Sequence, residues 1–557
     1  MSVSRSDTKS NLLSGQKIAM RLACGICISA FAAAASHAAS PARISGTSPF
    51  ATCTADVPTA QAGTLYPDSE IEPWIDVNPV NTRNVIAGWQ QDRWSNGGAR
   101  GLVSGVSIDG GATWATIVPP KITKCSGGIY DRASDPWVTF GPTGKAFFLS
   151  LAFNNDRPDG GGGHNAVLVS RSLNGGISWG NPVPLIIDTD GQIFNDKESM
   201  LADPADQKYV YAAWDRLQDF TLPSGSKSAA GKAAPRGNHA GDGAATARDR
   251  LRMLKSRVRS GNAGRAFVTF KGPAYFARTT NGGNSWEPPT KIYDPGNDAQ
   301  TINNLVEVLP DGTVADFFTD ISSLGETHIG IVKSTDKGKT FHPATLPVST
   351  FVTFNGTSTP DSHEPVRDGN ILFDVAVDSG NGNIYLVWQD GRFGNLDRVV
   401  FSMSTDAGVS FTDPVRINMT PASPLRLRNQ AFIPSVEVGA NHQIVVTYYD
   451  FRNDQSDGRE ATDYFAVFCT PGTNVDCGKR VSWGDGVTPK TDIRLTPVSF
   501  DMLDAPVARG HFLGDYTGLV KKGNVVIPAF GLVDSLNHTS INTLPIRSKS
   551  AVSSSNE

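Results

Sequence analysis

SIDGGATW (107–114), SLNGGISW (172–179), TTNGGNSW (279–286), STDKGKTF (334–341) and STDAGVSF (404–411) are one phrase written five times. The shared form is Ser/Thr-x-Asp/Asn-x-Gly-x-Ser/Thr-Trp/Phe. Its chemistry is that of a hairpin turn. The Asp or Asn side chain bonds nearby backbone N–H groups, the Gly accepts a positive φ, and the aromatic ring covers the turn. Each copy is expected to join two strands.

Working outward, a second phrase precedes each turn: a strand, usually ending aromatic-x-Asp-x-Arg. It reads NVIAGWQQDR (84–93), YVYAAWDR (209–216), NIYLVWQDGR (383–392) and QIVVTYYDFR (443–452). Looser forms are KAFFLSLAFNND (145–156), TVADFFTD (313–320) and NVVIPAFGLVD (524–534). These make seven units, each able to supply four antiparallel strands. No such sheet buries both faces alone, so repetition predicts a radial, all-β arrangement. The 56 Gly and 35 Pro of the chain fit frequent turns better than long helices.

The repeated turns resemble the Asp boxes, or BNR repeats, of the sialidase-like β-propeller superfamily. That resemblance implies a single propeller domain over 39–545 with four-stranded antiparallel blades. The seven units favour seven blades over the six of sialidases, and the segment near Arg43 to Ala51 is placed to close the ring with the last unit.

A length of 557 residues with 39% hydrophobic residues allows a large core, and a net charge of −4 gives no footprint for nucleic acid. Lys17 and Arg21, the apolar run from Leu22 to Ala35 and Ser36-His37-Ala38 read as a signal peptide over 1–38. The run is too short to span a bilayer, so the protein is expected to be secreted or periplasmic, and monomeric. Removal of Cys24 and Cys27 leaves Cys53, Cys125, Cys469 and Cys477, which allow three pairings. The short Cys469 to Cys477 separation favours a local loop and leaves Cys53 with Cys125. The interval between the second and third turns is the widest. It holds a basic, Gly/Ala/Ser-rich insertion over 217–264, read mainly as a solvated loop. The tail 546–557 is expected to be disordered.

Strand parity places the starts of first strands and the ends of second strands on one side, away from the repeated turns. There Asp92, Arg93, Asp215, Arg216, Asp390, Arg392, Asp450 and Arg452 meet Glu72, Asp131, Arg132, Asp135, Asp196, Lys197, Asn303, Arg428 and Asp515. Carboxylates and guanidiniums together suit a carboxylated sugar, although Asp-Arg pairs also make a plain polar collar. Sialidase resemblance implies three Arg on the substrate carboxylate, a Tyr nucleophile with a Glu partner, and an Asp acid/base. FLGDYTGL (512–519) is similar to the tyrosine strand of that family and nominates Tyr516 as nucleophile. Asp92 or Asp135 is the implied acid/base, and Arg93, Arg132, Arg392, Arg452 and Asn303 are the implied substrate-binding residues. Asn303 stands where the family carries its Glu, and IEPWIDV (71–77) lacks the family's Arg-Ile-Pro.

The expected function is that of an exported, sialidase-family glycan-active protein, an exo-α-sialidase-like glycoside hydrolase on an anionic sugar. Alternatives are a non-catalytic carbohydrate- or protein-binding propeller and a polysaccharide lyase. No cofactor or metal is expected: no GxSxG, HExxH or phosphate-cradling loop is present, and His363, His442 and His511 are scattered. The insertion yields the first test. Deleting Thr221 to Gly264 is expected to leave the thermal midpoint within a few degrees of the parent chain, measured by calorimetry. A large fall would show that the segment packs on the core.

Overall fold

The computed structural model describes residues 40–56, 63–155, 164–219, 270–348 and 355–548. Among these, strands account for nearly all regular structure, with five short 3₁₀ helices and no α-helix. None of the helices is long and apolar enough to cross a membrane. The segment 1–38 and most of 217–264 lie outside the described residues.

Strand pairing gives six sheets, of twelve, five, four, two, four and five strands, and antiparallel pairing in chain order divides most of their strands into groups. Their first strands are Leu65–Val77, Arg132–Phe140, Ile193–Ala202, Gln300–Val308, Phe373–Val377, Ala431–Val438 and Gly518–Lys522. Each first strand pairs with the second, and the second with the third. No sheet closes on itself. The short strand Ala42–Arg43 pairs with the last strand, His538–Thr543. Two boundaries expected from sequence shift. The strand Val210–Asp219 runs into the insertion, and Ile546 is not in a loose tail, because it exchanges backbone bonds with Val526.

The five repeated turns follow third strands and share one bonding scheme. The Ser or Thr hydroxyl donates to the Asp or Asn two residues on and accepts from the Gly four residues on. For Ser334 these distances are 2.8 Å to Asp336 and 2.8 Å from Gly338 N; Ser107, Ser172, Thr279 and Ser404 repeat them. A side chain of a neighbouring group then donates to a carbonyl of the turn. Lys522 reaches Gly110 O, Asn84 reaches Gly175 O at 3.0 Å, and Arg171 reaches Gly282 O at 3.0 Å. Arg278 reaches Lys337 O at 2.8 Å, and Lys333 reaches Ala407 O at 2.5 Å. The turn therefore ties one group to the next as well as joining two strands.

The first strands touch in order, and the last touches the first. Side chains stitch neighbours together. Phe140 N donates to Asp76 at 2.7 Å, Val306 N to Ser199 at 3.0 Å, Val436 N to Asp374 at 2.9 Å, and Asp515 N to Glu72 at 3.3 Å. Apolar residues of these strands build the largest core, where Trp74 and Trp137 stack at 3.5 Å.

Five first strands slip register, and a non-glycine residue with positive φ sits in each slip: Glu72 at 53°, Asp135 at 50°, Lys197 at 47°, Asn303 at 67° and Ile433 at 50°. The fifth and seventh groups place Gly369 and Gly514 just ahead of their first strands, with φ of 58° and 128°. There glycine is required by space as well. A Cβ on Gly369 would lie 2.2 Å from Asp515 O, and one on Gly514 would lie 2.9 Å from Glu72 N. Such bulges re-aim side chains and concentrate where function needs strain.

Two disulfides, Cys53–Cys125 and Cys469–Cys477, pair as the spacing favoured and are compatible with an extracellular or periplasmic protein. Ser334→Ala tests the turn scheme. Ser334 is fully buried, and its loss leaves Gly338 N without its acceptor, so destabilisation of about 1–3 kcal/mol by chemical denaturation is expected.

Candidate functional site

The bulged residues converge. Lys197, from the third group, lies 3.6 Å from Asp135 of the second, 3.7 Å from Glu72 of the first and 3.6 Å from Asp515 of the seventh. Its ammonium stands 4.6 Å from the centre of the Tyr516 ring. The lysine is 6% exposed, and the carboxylates around it raise its pKa against the pull of burial. A buried ammonium survives only with such partners.

Beneath this cluster, Trp74, Trp137, Leu305 and Phe373 line a cavity together with Asp135, Glu198, Asn303, Asp515 and Tyr516. Its volume is about 30 Å³, room for about two waters. The Tyr516 hydroxyl is buried with no hydrogen-bond partner among the described residues, and so are both carboxyl oxygens of Glu198. Burial, then the charges of Asp135, Glu72, Glu198 and Asp515, push the phenol well above its usual value. Burial, then Asp135, does the same for Glu198. Glu72 is raised to about 7 by burial, with Lys197 opposing. Asp215, which accepts from Thr301 at 2.9 Å, is raised to about 8, chiefly by burial.

A second zone adjoins through Asp515, which Arg367 grips with two bonds of 3.0 and 2.5 Å. Arg367 lies 4.1 Å and Arg93 5.2 Å from the Phe512 ring centre. Arg93 donates to Gln90 at 2.7 Å, and Gln90 donates to Glu72. Arg132 covers Trp94 at 4.4 Å and donates to Asn96 and Gly97 O at 2.8 and 2.7 Å. Arg132 is lowered to about 9 by burial and then by Arg93. Arg509 is lowered to about 10 by burial, with Asp515 opposing and Arg93 adding.

Of the residues nominated from sequence, Tyr516, Asp135 and Asn303 line the cavity, and Asn303 donates to Phe373 O at 2.8 Å. Arg93 and Arg132 belong to the guanidinium zone. Asp92, Arg392 and Arg452 do not line the cavity. Asp92 accepts from Ser48 at 2.8 Å and from Asp68 N at 2.9 Å. Arg392 pairs with Asp390 at 2.7 Å. Arg452 pairs with Asp450 and Asp492 and covers Phe465. An Asp two residues away captures these arginines, as a polar collar requires. Glu198, Arg367 and Arg509 escaped the sequence reading. Simple alternation puts Glu198 on the face opposite Lys197, whereas the bulge brings both inward. Arg367 arrives through a parallel bridge of Val366–Arg367 to His511–Phe512, which no local pattern announces.

No family model matches the chain, and no curated protein matches it. Solved structures similar to it include a protein of unknown function from Dyadobacter fermentans DSM 18053, at 14% identity and TM-score 0.40, over 70% of this chain and 92% of that one. The Hadza microbial sialidase Hz136 is 16% identical with TM-score 0.42, over 83% of this chain and 73% of that one. The α-L-arabinanase of Penicillium chrysogenum is 11% identical with TM-score 0.38, over 77% of this chain and 96% of that one.

The buried carboxyls set a pH dependence. Glu70 and Asp215 are raised to about 8, Glu72, Glu437 and Asp397 to about 7, and Asp76 and Asp374 to about 6, in each case chiefly by burial. An acid with a raised folded pKa binds its proton more tightly in the native state. Its stabilisation is complete below the unfolded value near 4 and is lost as pH climbs through the folded value. The thermal midpoint is therefore expected to fall from about pH 5 to about pH 9, measured by calorimetry in matched salt. A midpoint that rises over this range overturns the assignment.

Proposed function

We propose that the protein is an exported glycan-active hydrolase, built as a seven-bladed sialidase-like propeller, whose chemistry runs at Tyr516. The observation that carries this reading is a buried phenol with an unpartnered hydroxyl, ringed by carboxylates from three other strand groups. The closed order of contacts among first strands supports the ring. The guanidinium zone of Arg93, Arg132, Arg367 and Arg509 supports an anionic sugar, because planar forks suit a carboxylate.

A phenol held above its usual pKa attacks only if its proton leaves in the same step. Asp135 and Glu72 stand beside Tyr516 to take it. Glu198, whose carboxyl is raised well above its usual value by burial, is the acid for the leaving oxygen. In this scheme the tyrosyl oxygen bonds to the anomeric carbon as the glycosidic C–O bond breaks and Glu198 protonates the departing alcohol. Water then cleaves the glycosyl-enzyme, with Glu198 taking the proton from that water and the carboxyl that took the phenol's proton returning it to the departing tyrosyl oxygen. The alternative, a propeller that binds a glycan without cleaving it, is favoured by Asn303, whose amide donates to Phe373 O at 2.8 Å and cannot take a proton from the phenol.

Turnover of sialosides, uronic-acid polymers and neutral glycans separates the readings. On whichever substrate is cleaved, Tyr516→Phe is expected to lose at least about 10³ in kcat and Glu198→Gln at least about 10². The Phe variant should change stability by no more than about 1 kcal/mol, because the hydroxyl makes no hydrogen bond to lose. Near-parental turnover in the Phe variant removes the nucleophile. Binding without turnover on every substrate favours the non-catalytic ring.

A further inference from the structure

A second concentration of charge lies on the fifth and sixth strand groups, outside the residues used above. Arg398 opens the third strand of the fifth group, Arg398–Ser404. That strand pairs with Val415–Arg416, with Val400 opposite Arg416. Continuing the same register sets Asn418 opposite Arg398, and Ile417 N donates to Val399 O at 3.0 Å. Opposed residues of an antiparallel pair share a face, so Arg398, Arg416 and Asn418 stand on one side of the sheet. Arg480 joins them, donating to Arg416 O and to Asn418 O at 3.0 Å each. Arg426 is exposed at the edge and holds Asn395 O at 2.7 Å.

The cations in this cluster are not matched by anions. Arg398 is 8% exposed, yet its Nε and Nη1 are buried without a hydrogen-bond partner. No ion pair is formed by Arg398, Arg416, Arg426 or Arg480 among the described residues. The carboxylates beside Arg398 are engaged elsewhere: Asp450 accepts from Arg452 at 2.6 Å and from Thr420 at 2.7 Å, and Asp390, opposite Arg398 in the strand pair, pairs with Arg392 at 2.7 Å. Burial and then Arg416 and Arg480 lower Arg398 to about 10, which is what a guanidinium among guanidiniums feels. A buried charge with open donors costs several kcal/mol unless something satisfies it. The Asn418 amide oxygen is buried and unpartnered too, which leaves one acceptor for a hydroxyl beside the donors.

We infer that Arg398, Arg416 and Arg480, with Arg426 at the rim, bind an oxyanion: a sulfate, phosphate or carboxylate group. The planar donors of Arg398 meet two oxygens of such a group, and the half-buried Arg416 and Arg480 neutralise it from the side. The open edge at Arg426 admits a group that is carried on a larger molecule. This site shares no residue with the Tyr516 cluster, so it stands or falls apart from the catalytic reading.

The test uses the full chain and its thermal midpoint in sodium sulfate, phosphate or acetate against sodium chloride at matched ionic strength. At least one oxyanion is expected to raise the midpoint saturably beyond chloride. Arg398→Met removes the unpaired buried charge, so without oxyanion it is expected to be at least as stable as the parent, and it should lose the oxyanion response. Should that variant fail to fold, Arg416→Gln, at a half-buried position, carries the test and is expected to weaken binding by calorimetric titration at least about 5-fold. A sulfated or carboxylated oligosaccharide that binds about 10-fold tighter than the inorganic ion would assign a glycan source, and equal affinity would assign a free anion. A response equal to that of chloride, or one unchanged in the variant that folds, overturns the site.

Discussion

A four-stranded antiparallel sheet with two apolar faces cannot stand in water alone, and the rest of this structure follows from how each group covers its neighbour. The repeated turn meets that constraint with very few atoms. Its hydroxyl and its Asp or Asn side-chain oxygen close the hairpin, and a carbonyl of the turn accepts a donor from the adjacent group. Lys522 in the last group does for the first what Asn84, Arg171, Arg278 and Lys333 do between successive groups. The same bonds therefore set both the local strand connection and the order of groups around the fold.

Convergence of the first strands has an electrostatic consequence. Polar residues at their bulges must face one another, and water is largely excluded. Lys197 is the counterion that makes this tolerable, since it faces Glu72, Asp135 and Asp515 at once. One cation does not offset every carboxyl, and burial raises Glu198, Asp196 and Asp316 well above the usual carboxyl range. Carboxyls that face the ammonium and carboxyls raised by burial thus stand within one cluster. Positive φ at Glu72, Asp135, Lys197 and Asn303 adds backbone strain at the same positions, and a fold keeps such strain only where the surroundings over-determine it.

The guanidiniums divide in an instructive way. Arg392 and Arg452 close on an Asp two residues back, where the short separation fixes the pair. Arg367 reaches Asp515 from 148 positions away along the chain. Arg398, Arg416 and Arg480 meet only because two sheet groups pack together, and no carboxylate is left over for them.

Local chemistry was readable from the sequence. The five turns, the seven second strands and the Cys469–Cys477 loop each rest on residues within about ten positions, where side-chain type and spacing dictate the bonds. The prominence of Asp135 and Asn303 came from strand phase, and that of Tyr516 from the resemblance carried by FLGDYTGL. Glu198, Arg367 and the Arg398 cluster did not, because a bulge, a parallel bridge and an inter-group packing decide them. A slip of one residue reverses the face of every side chain beyond it, and contacts between residues more than a hundred positions apart are fixed only when the groups are packed. Tertiary structure alone decided which carboxyls are buried, which cations are matched, and where a ligand could find an unsatisfied donor.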